Sequence, residues 1–164
     1  MTTPPLVTQA HVEAILRRLL LLETRVGRVE VRERNDYNFS TYTPTYLGET
    51  TAGATTYAAN GQVGYWRQYG DMIYAFGRVE WTAATGTGNA IISLPFTSAN
   101  VTNLGMPGSL DVNAVTFAAG TPTLLVPINS AFFRMRSPAS NAASTNVAVE
   151  AAGIVNFGVW FLKA

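Results

Sequence analysis

One heptad seam limits what this chain can become more than any other feature. Val12, Ile15, Leu19, Leu22, Val26 and Val29 follow one another in alternating steps of three and four, the spacing of a and d positions in a coiled coil. That frame places Arg18 with Glu23, and Arg25 with Glu30, at the g and e positions whose side chains reach between neighbouring helices. The apolar and charge patterns therefore select the same register.

The register also points to a number of strands. β-branched Ile15 and Val29 at d depart from the Leu-at-d pattern of dimers, and RLLLLE (18–23) and RVGRVE (25–30) share the Arg-apolar-x-x-apolar-Glu pattern found in three-stranded coiled coils. The expectation is a homotrimer joined through Val12, Ile15, Arg18, Leu19, Leu22, Glu23, Arg25, Val26, Val29 and Glu30. The competing reading is an ordinary amphipathic helix packed on its own domain, since Leu16, Leu20 and Leu21 widen the apolar face beyond a strict seam. A stalk of this length, about 27 Å at 1.5 Å per residue, is marginal alone. Residues downstream should contribute trimer contacts too.

Composition bears on what the surface meets. Only 13% of the 164 residues are charged while 48% are apolar, so much of the exterior must be Thr, Asn, Ser, Gly and small apolar groups, which suits a surface covered by copies of itself. Six of the eleven Lys and Arg lie between Arg17 and Arg34, interleaved with Glu13, Glu23, Glu30, Glu33 and Asp36. No basic patch is left for nucleic acid. Cysteine is absent and His11 is the single histidine, so neither a disulfide framework nor a transition-metal cluster is expected. No cofactor is expected either. LLLL at 19–22 sits among arginines and glutamates, far short of a membrane span, and residues 1–11 lack the pattern of a signal peptide.

Three segments follow in order. Residues 1–11, with Pro4 and Pro5, read as an extended arm suited to anchoring on a partner; residues 12–36 as the stalk helix; residues 37–164 as a β-domain. In the last, short runs rich in Val, Ile, Thr, Tyr, Phe and Trp are punctuated by turn residues every eight to twelve positions, the grammar of an antiparallel β-sandwich or barrel. Strands are predicted at 42–47, 62–69, 72–82, 89–94, 111–117, 123–128, 131–136, 146–150 and 154–162. Gly70-Asp71 is the clearest hairpin signal. TGTGN (85–89) and SPASNAAST (137–145) read as exposed loops, the former too rich in Gly and Thr to pack. The final strand is apolar on both faces, which predicts either a central core position or a second cover supplied by another subunit.

Tyr65, Trp66, Tyr69, Tyr74, Phe76 and Trp81 crowd one hairpin. Either these rings are offered for stacking on a glycan, with Tyr65, Arg67 and Tyr69 as the contacts, or Trp66, Phe76 and Trp81 are core while Tyr65 and Tyr69, alternating with Arg67, sit on one exposed or intersubunit face. Carboxylates in the β-domain are scattered singly, and no nucleophile elbow, phosphate loop or dinucleotide fingerprint is present. The chain therefore reads as a non-enzyme.

YTPTYLG (42–48), GYWRQYGDMIYAFGRVEWTA (64–83), TGTG (85–88) and ISLPF (92–96), taken as an ordered series, resemble a β-domain of bacteriophage fibre and virion-decoration proteins. The resemblance covers residues 42–96 and, loosely, the last strand. It implies a jelly-roll-like β-sandwich tip behind an N-terminal stalk forming a trimeric coiled coil. It also implies a head fibre or capsid decoration on the virion surface, assembled in the host cytoplasm and held to other virion proteins by the arm. A small tail fibre or receptor-binding tip for host adhesion, contacting a surface glycan, is the second expectation; a carbohydrate-active enzyme or free lectin is the third.

Overall fold

The computed structural model describes Glu13 and residues 15–23, 38–117, 120–139 and 142–164. It divides into two compact units, Met1–Asn38 and Phe39–Ala164, each with its own internal packing.

In the first unit Glu13 and residues 15–23 are helical, and the continuous run 15–23 is called α1. The nine consecutive described residues extend about 13 Å. Its apolar side chains face solvent in the single chain: Ile15, Leu16, Leu19, Leu20, Leu21 and Leu22 are 49–66% exposed. Arg18 and Glu23 are exposed beside them. Val12, Arg25, Val26, Val29 and Glu30, together with the arm at 1–11, lie outside the described residues.

The second unit is mainly β. Its strands are β1 (Ser40–Tyr42), β2 (Tyr46–Gly48), β3 (Thr55–Tyr69), β4 (Met72–Ala84), β5 (Ala90–Ser93), β6 (Met106–Asn113), β7 (Thr123–Val126), β8 (Phe132–Ala139), β9 (Ala142–Asn146) and β10 (Gly153–Leu162). All pair antiparallel in one sheet ordered β1-β3-β4-β10-β6-β7-β8-β5-β2, with β9 added to β8. The sandwich of two sheets expected from the strand grammar is thus a single sheet curled into a half-barrel. Spacing of strands cannot separate these outcomes, because both bury alternate residues. Here β10 joins β4 to β6, so hydrogen bonding runs unbroken where a sandwich would have a gap.

The concave face holds the core. Ile73, Ala75, Val79 and Trp81 of β4 alternate inward, as do Val155, Phe157, Val159 and Phe161 of β10, against Ile92, Leu124, Val126, Phe133 and Met135 from the far strands. Curling brings β2 back over β4, where the ring of Tyr46 stacks on Trp81 at 3.9 Å. Both rings grip one stretch of backbone: Trp81 Nε1 donates to the Glu150 carbonyl at 2.9 Å, and the Tyr46 hydroxyl accepts from Glu150 N–H at 2.8 Å. Burial pushes the Tyr46 hydroxyl up to about 12, so it stays protonated.

Several boundaries differ from expectation for local reasons. The run at 42–47 splits into β1 and β2 across Pro44, which has no N–H to give a ladder. β3 begins at Thr55 rather than 62 because a bulge over 57–62, with Asn60 at φ 58°, carries the pairing past the irregularity. β6 begins at Met106, before Pro107 and Gly108, and ends where Ala114 turns to φ 57°. SPASNAAST is not a free loop: its first residues end β8 and residues 142–145 open β9. Residues 147–149 make single contacts, among them Ala90 N to the Val147 carbonyl and Val149 N to the Gly88 carbonyl, instead of a strand. The Gly70-Asp71 hairpin forms as expected, with Gly70 at φ 60° in the first position of a type II′ turn.

TGTGN is exposed as expected at Thr85, Thr87 and Gly88, but the expectation that it does not pack is corrected. Thr85, Gly86, Thr87 and Gly88 pack on residues 48–54 and close the curl: Thr50 N–H donates to the Thr87 carbonyl at 3.0 Å, Thr87 N–H to the Thr51 carbonyl at 3.1 Å, and Thr85 N–H to the Ala54 carbonyl at 3.0 Å. A β-carbon on Gly53 would sit 2.2 Å from Gly86 N, and Gly53 also holds φ 68°. Glycine serves here for close backbone approach, not for looseness. Gly53→Ala should therefore lose about 2–4 kcal/mol, the sum of left-handed strain and backbone overlap. A thermal melt matching the parent would contradict that packing.

An ion pair ties the same corner to β8. Arg134 meets Glu49 side-on, with Nε 3.0 and 2.9 Å from the two carboxylate oxygens, and Asn89 Nδ2 adds a bond of 2.6 Å. The Arg134 bond, opposed by burial and helped by Asn89, holds the Glu49 carboxyl below its ordinary value. A depressed carboxyl stabilises the fold above its unfolded pKa and loses that contribution as pH falls through the folded one. Parent and Glu49→Gln should differ by about 1 kcal/mol at pH 7. Denaturant curves taken down to pH 3 should bring the two together, and a gap that widened on acidification would refute the assignment.

Candidate functional site

Alternation along β3, β4 and β10 sends a second set of side chains to the convex face. Registers Tyr65↔Phe76, Arg67↔Tyr74 and Trp160↔Tyr74 put these residues in neighbouring outward positions. The rings form a continuous ribbon. Phe39 meets Phe76 edge-on at 5.1 Å, Tyr65 and Tyr74 each lie 5.4 Å from Phe76, Tyr74 stacks on Trp160 at 4.6 Å, and Tyr69 lies 5.6 Å from Trp160. The Arg67 guanidinium covers Tyr69 at 4.4 Å. Phe39, Tyr65, Tyr69 and Trp160 are 37–46% exposed, an apolar surface open to solvent in the single chain.

The three residues nominated from sequence as glycan contacts, Tyr65, Arg67 and Tyr69, therefore share one exposed face. Trp81 is core and Trp66 points inward, half-buried and edge-on to Phe96 at 4.6 Å. Phe76 is corrected: it stands on the convex face between Tyr65 and Tyr74, because the turn at Gly70-Asp71 fixes its parity opposite to that of Ile73 and Ala75. The last strand is central, and its inner face is buried. On its outer face Ile154 and Leu162 are half-buried and Trp160 is open.

Beside the ribbon runs an open groove of about 390 Å³, at the small end of ligand sites. Tyr74 and Phe76 form one wall; Ser109, Asp111 and Asn156 form the other; Gly158 is the floor between them. Asn156 Nδ2 donates to Asp111 at 3.2 Å, and Ser109 Oγ donates to the Gly158 carbonyl at 3.2 Å. On the neighbouring rung Arg78 is paired with Glu80 at 2.6 Å. Flat rings opposite an exposed carboxylate and amide offer stacking and hydrogen bonding in one place.

Sequence reasoning found the aromatic hairpin, Tyr74 included, but missed the part played by Trp160 and the groove. The available signal was Gly158, which interrupts the apolar run IVNFGVWFL at mid-strand. Among the described residues no group of three His, Cys, Asp or Glu side chains is placed to hold a metal ion. No described helix is long and apolar enough to cross a membrane. Comparison with protein-family models, with curated proteins and with solved structures found no match to this chain.

Proposed function

We propose that this chain is a non-enzymatic structural protein of a bacteriophage virion, a homotrimeric head fibre or capsid decoration. Its N-terminal arm would hold other virion proteins, and its β-domain would face outward. The observation that carries the assembly part is α1. Six apolar side chains within eight residues of this helix are all about half or more exposed. A three-stranded seam would bury Ile15, Leu19 and Leu22 at its a and d positions, with Leu16 at its edge, while pairing Arg18 with Glu23 across chains. The virion part rests on the ordered motif series of residues 42–96, and no comparison adds to it.

A small tail fibre or receptor-binding tip is the second reading, favoured by the exposed aromatic ribbon. The deciding experiment is attachment to particles. Chain lacking residues 1–7 should still fold and assemble, yet should no longer decorate particles when imaged with a β-domain label. Undiminished decoration would move the contact to the stalk or the β-domain, and labelling at the tail would select the second reading.

A further inference from the structure

Glycine in the middle of a strand usually answers to a need of the backbone. Gly77 and Gly108 do so: a β-carbon on Gly77 would lie 2.3 Å from the Val63 carbonyl, and one on Gly108 would lie 2.7 Å from the Gly158 carbonyl. Gly158 has no such reason. Its φ is not in the left-handed region, and a β-carbon there would meet only Ser109 Oγ at 3.3 Å and Tyr74 Oη at 3.5 Å, both movable side-chain ends. What the missing side chain does create is the floor of the convex groove, open between the Tyr74–Phe76 wall and the Asp111–Asn156 pair.

We propose that this groove is a binding site for a neutral hexopyranose unit of an oligosaccharide. The C–H face of a pyranose ring would lie against Tyr74 and Phe76, with its hydroxyls directed to Asp111 and Asn156. The charge pattern selects this occupant. Covered by an apolar protein surface, the Asp111 carboxylate would keep only its bond from Asn156 Nδ2 and lose water at its remaining acceptor sites, a cost that a sugar hydroxyl removes by donating to it. An anionic sugar would meet Asp111 directly, while the nearby Arg78 guanidinium is already engaged by Glu80. A neutral sugar satisfies both walls and adds no charge. Three sites in one assembly would raise a weak single-site affinity through avidity. The inference does not depend on where the chain sits on a particle.

The test uses the full-length protein on an array of neutral hexose and sialylated oligosaccharides, with light scattering and thermal melting run alongside. Gly158→Val fills the floor with a residue suited to a strand and leaves the backbone unobstructed; Asp111→Asn keeps the shape of the opposite wall and removes its charge. The parent should bind neutral oligosaccharides, and both variants should lose at least tenfold in apparent affinity with unchanged melting and mass. Should Gly158→Val misfold, Asp111→Asn carries the test alone. Absence of neutral-sugar binding by the parent, preference for sialylated ligands, or full binding by Asp111→Asn would each overturn the proposal. So would a change of assembly mass in a folded Gly158→Val, which would identify the groove as a contact between copies of this chain. Failure on the array would leave attachment to particles unaffected, so the two readings fail separately.

Discussion

Trp81→Ala is expected to cost about 3–5 kcal/mol, enough to unfold a large share of a domain of ordinary stability. Three losses coincide at this position. The indole is 1% exposed, packed between Tyr46 of β2 and the start of β10, so its removal leaves a cavity there. Tyr46 loses the ring on which it stacks, and the Glu150 carbonyl loses its donor. Since Tyr46 also receives the Glu150 N–H, the stretch from Val147 to Glu150 that crosses the open side of the curl would come away with it. Trp81→Phe keeps a ring for Tyr46 and should lose about half as much. Urea unfolding at pH 7 distinguishes these outcomes. Equal midpoints for parent and Trp81→Ala would mean that closure of the half-barrel does not depend on the β2–β4 contact.

How far such contacts were legible in the chain depended on whether the cause was local. Alternation announced the inner face of β10 through Val155, Phe157, Val159 and Phe161, and Gly70-Asp71 announced its hairpin, because both signals lie within a few neighbouring residues. The path of the sheet was not legible. That β10 stands between β4 and β6 depends on pairings across more than 40 positions, as between Ile154 and Asn113, and no single strand encodes it. Gly86 misled for a related reason: the same residue serves a free loop and a tight backbone crossing such as the one it makes with Gly53, and only the partner segment tells them apart. The parity of Phe76 and the bareness of Gly158 belong to the groove, so the site followed from the register and not from any motif.

The second large effect is expected at α1. Changing Leu19 and Leu22 together to Asp places charge at adjacent a and d positions, where each of three chains would have to bury two carboxylates with no cation to meet them. Assembly should be lost outright rather than weakened, and the mass should fall to that of one chain. The β-domain packs around its own core, with Phe39–Ala164 as a separate compact unit, so its near-ultraviolet dichroism should survive the change. A double variant that stayed assembled would transfer the association to the convex face of the sheet. Arg18→Glu provides a milder companion, since it sets like charges opposite Glu23 and should weaken association in a salt-dependent way.

The central claim is that the seam of Ile15, Leu19 and Leu22 continues through Val12, Val26 and Val29 to hold three chains together. Light scattering coupled to size exclusion, run on the unaltered protein at micromolar concentration, tests it most directly. The account predicts a particle three times the 17.6 kDa mass of the chain, with no change on dilution tenfold. A mass of one or two chains would contradict it.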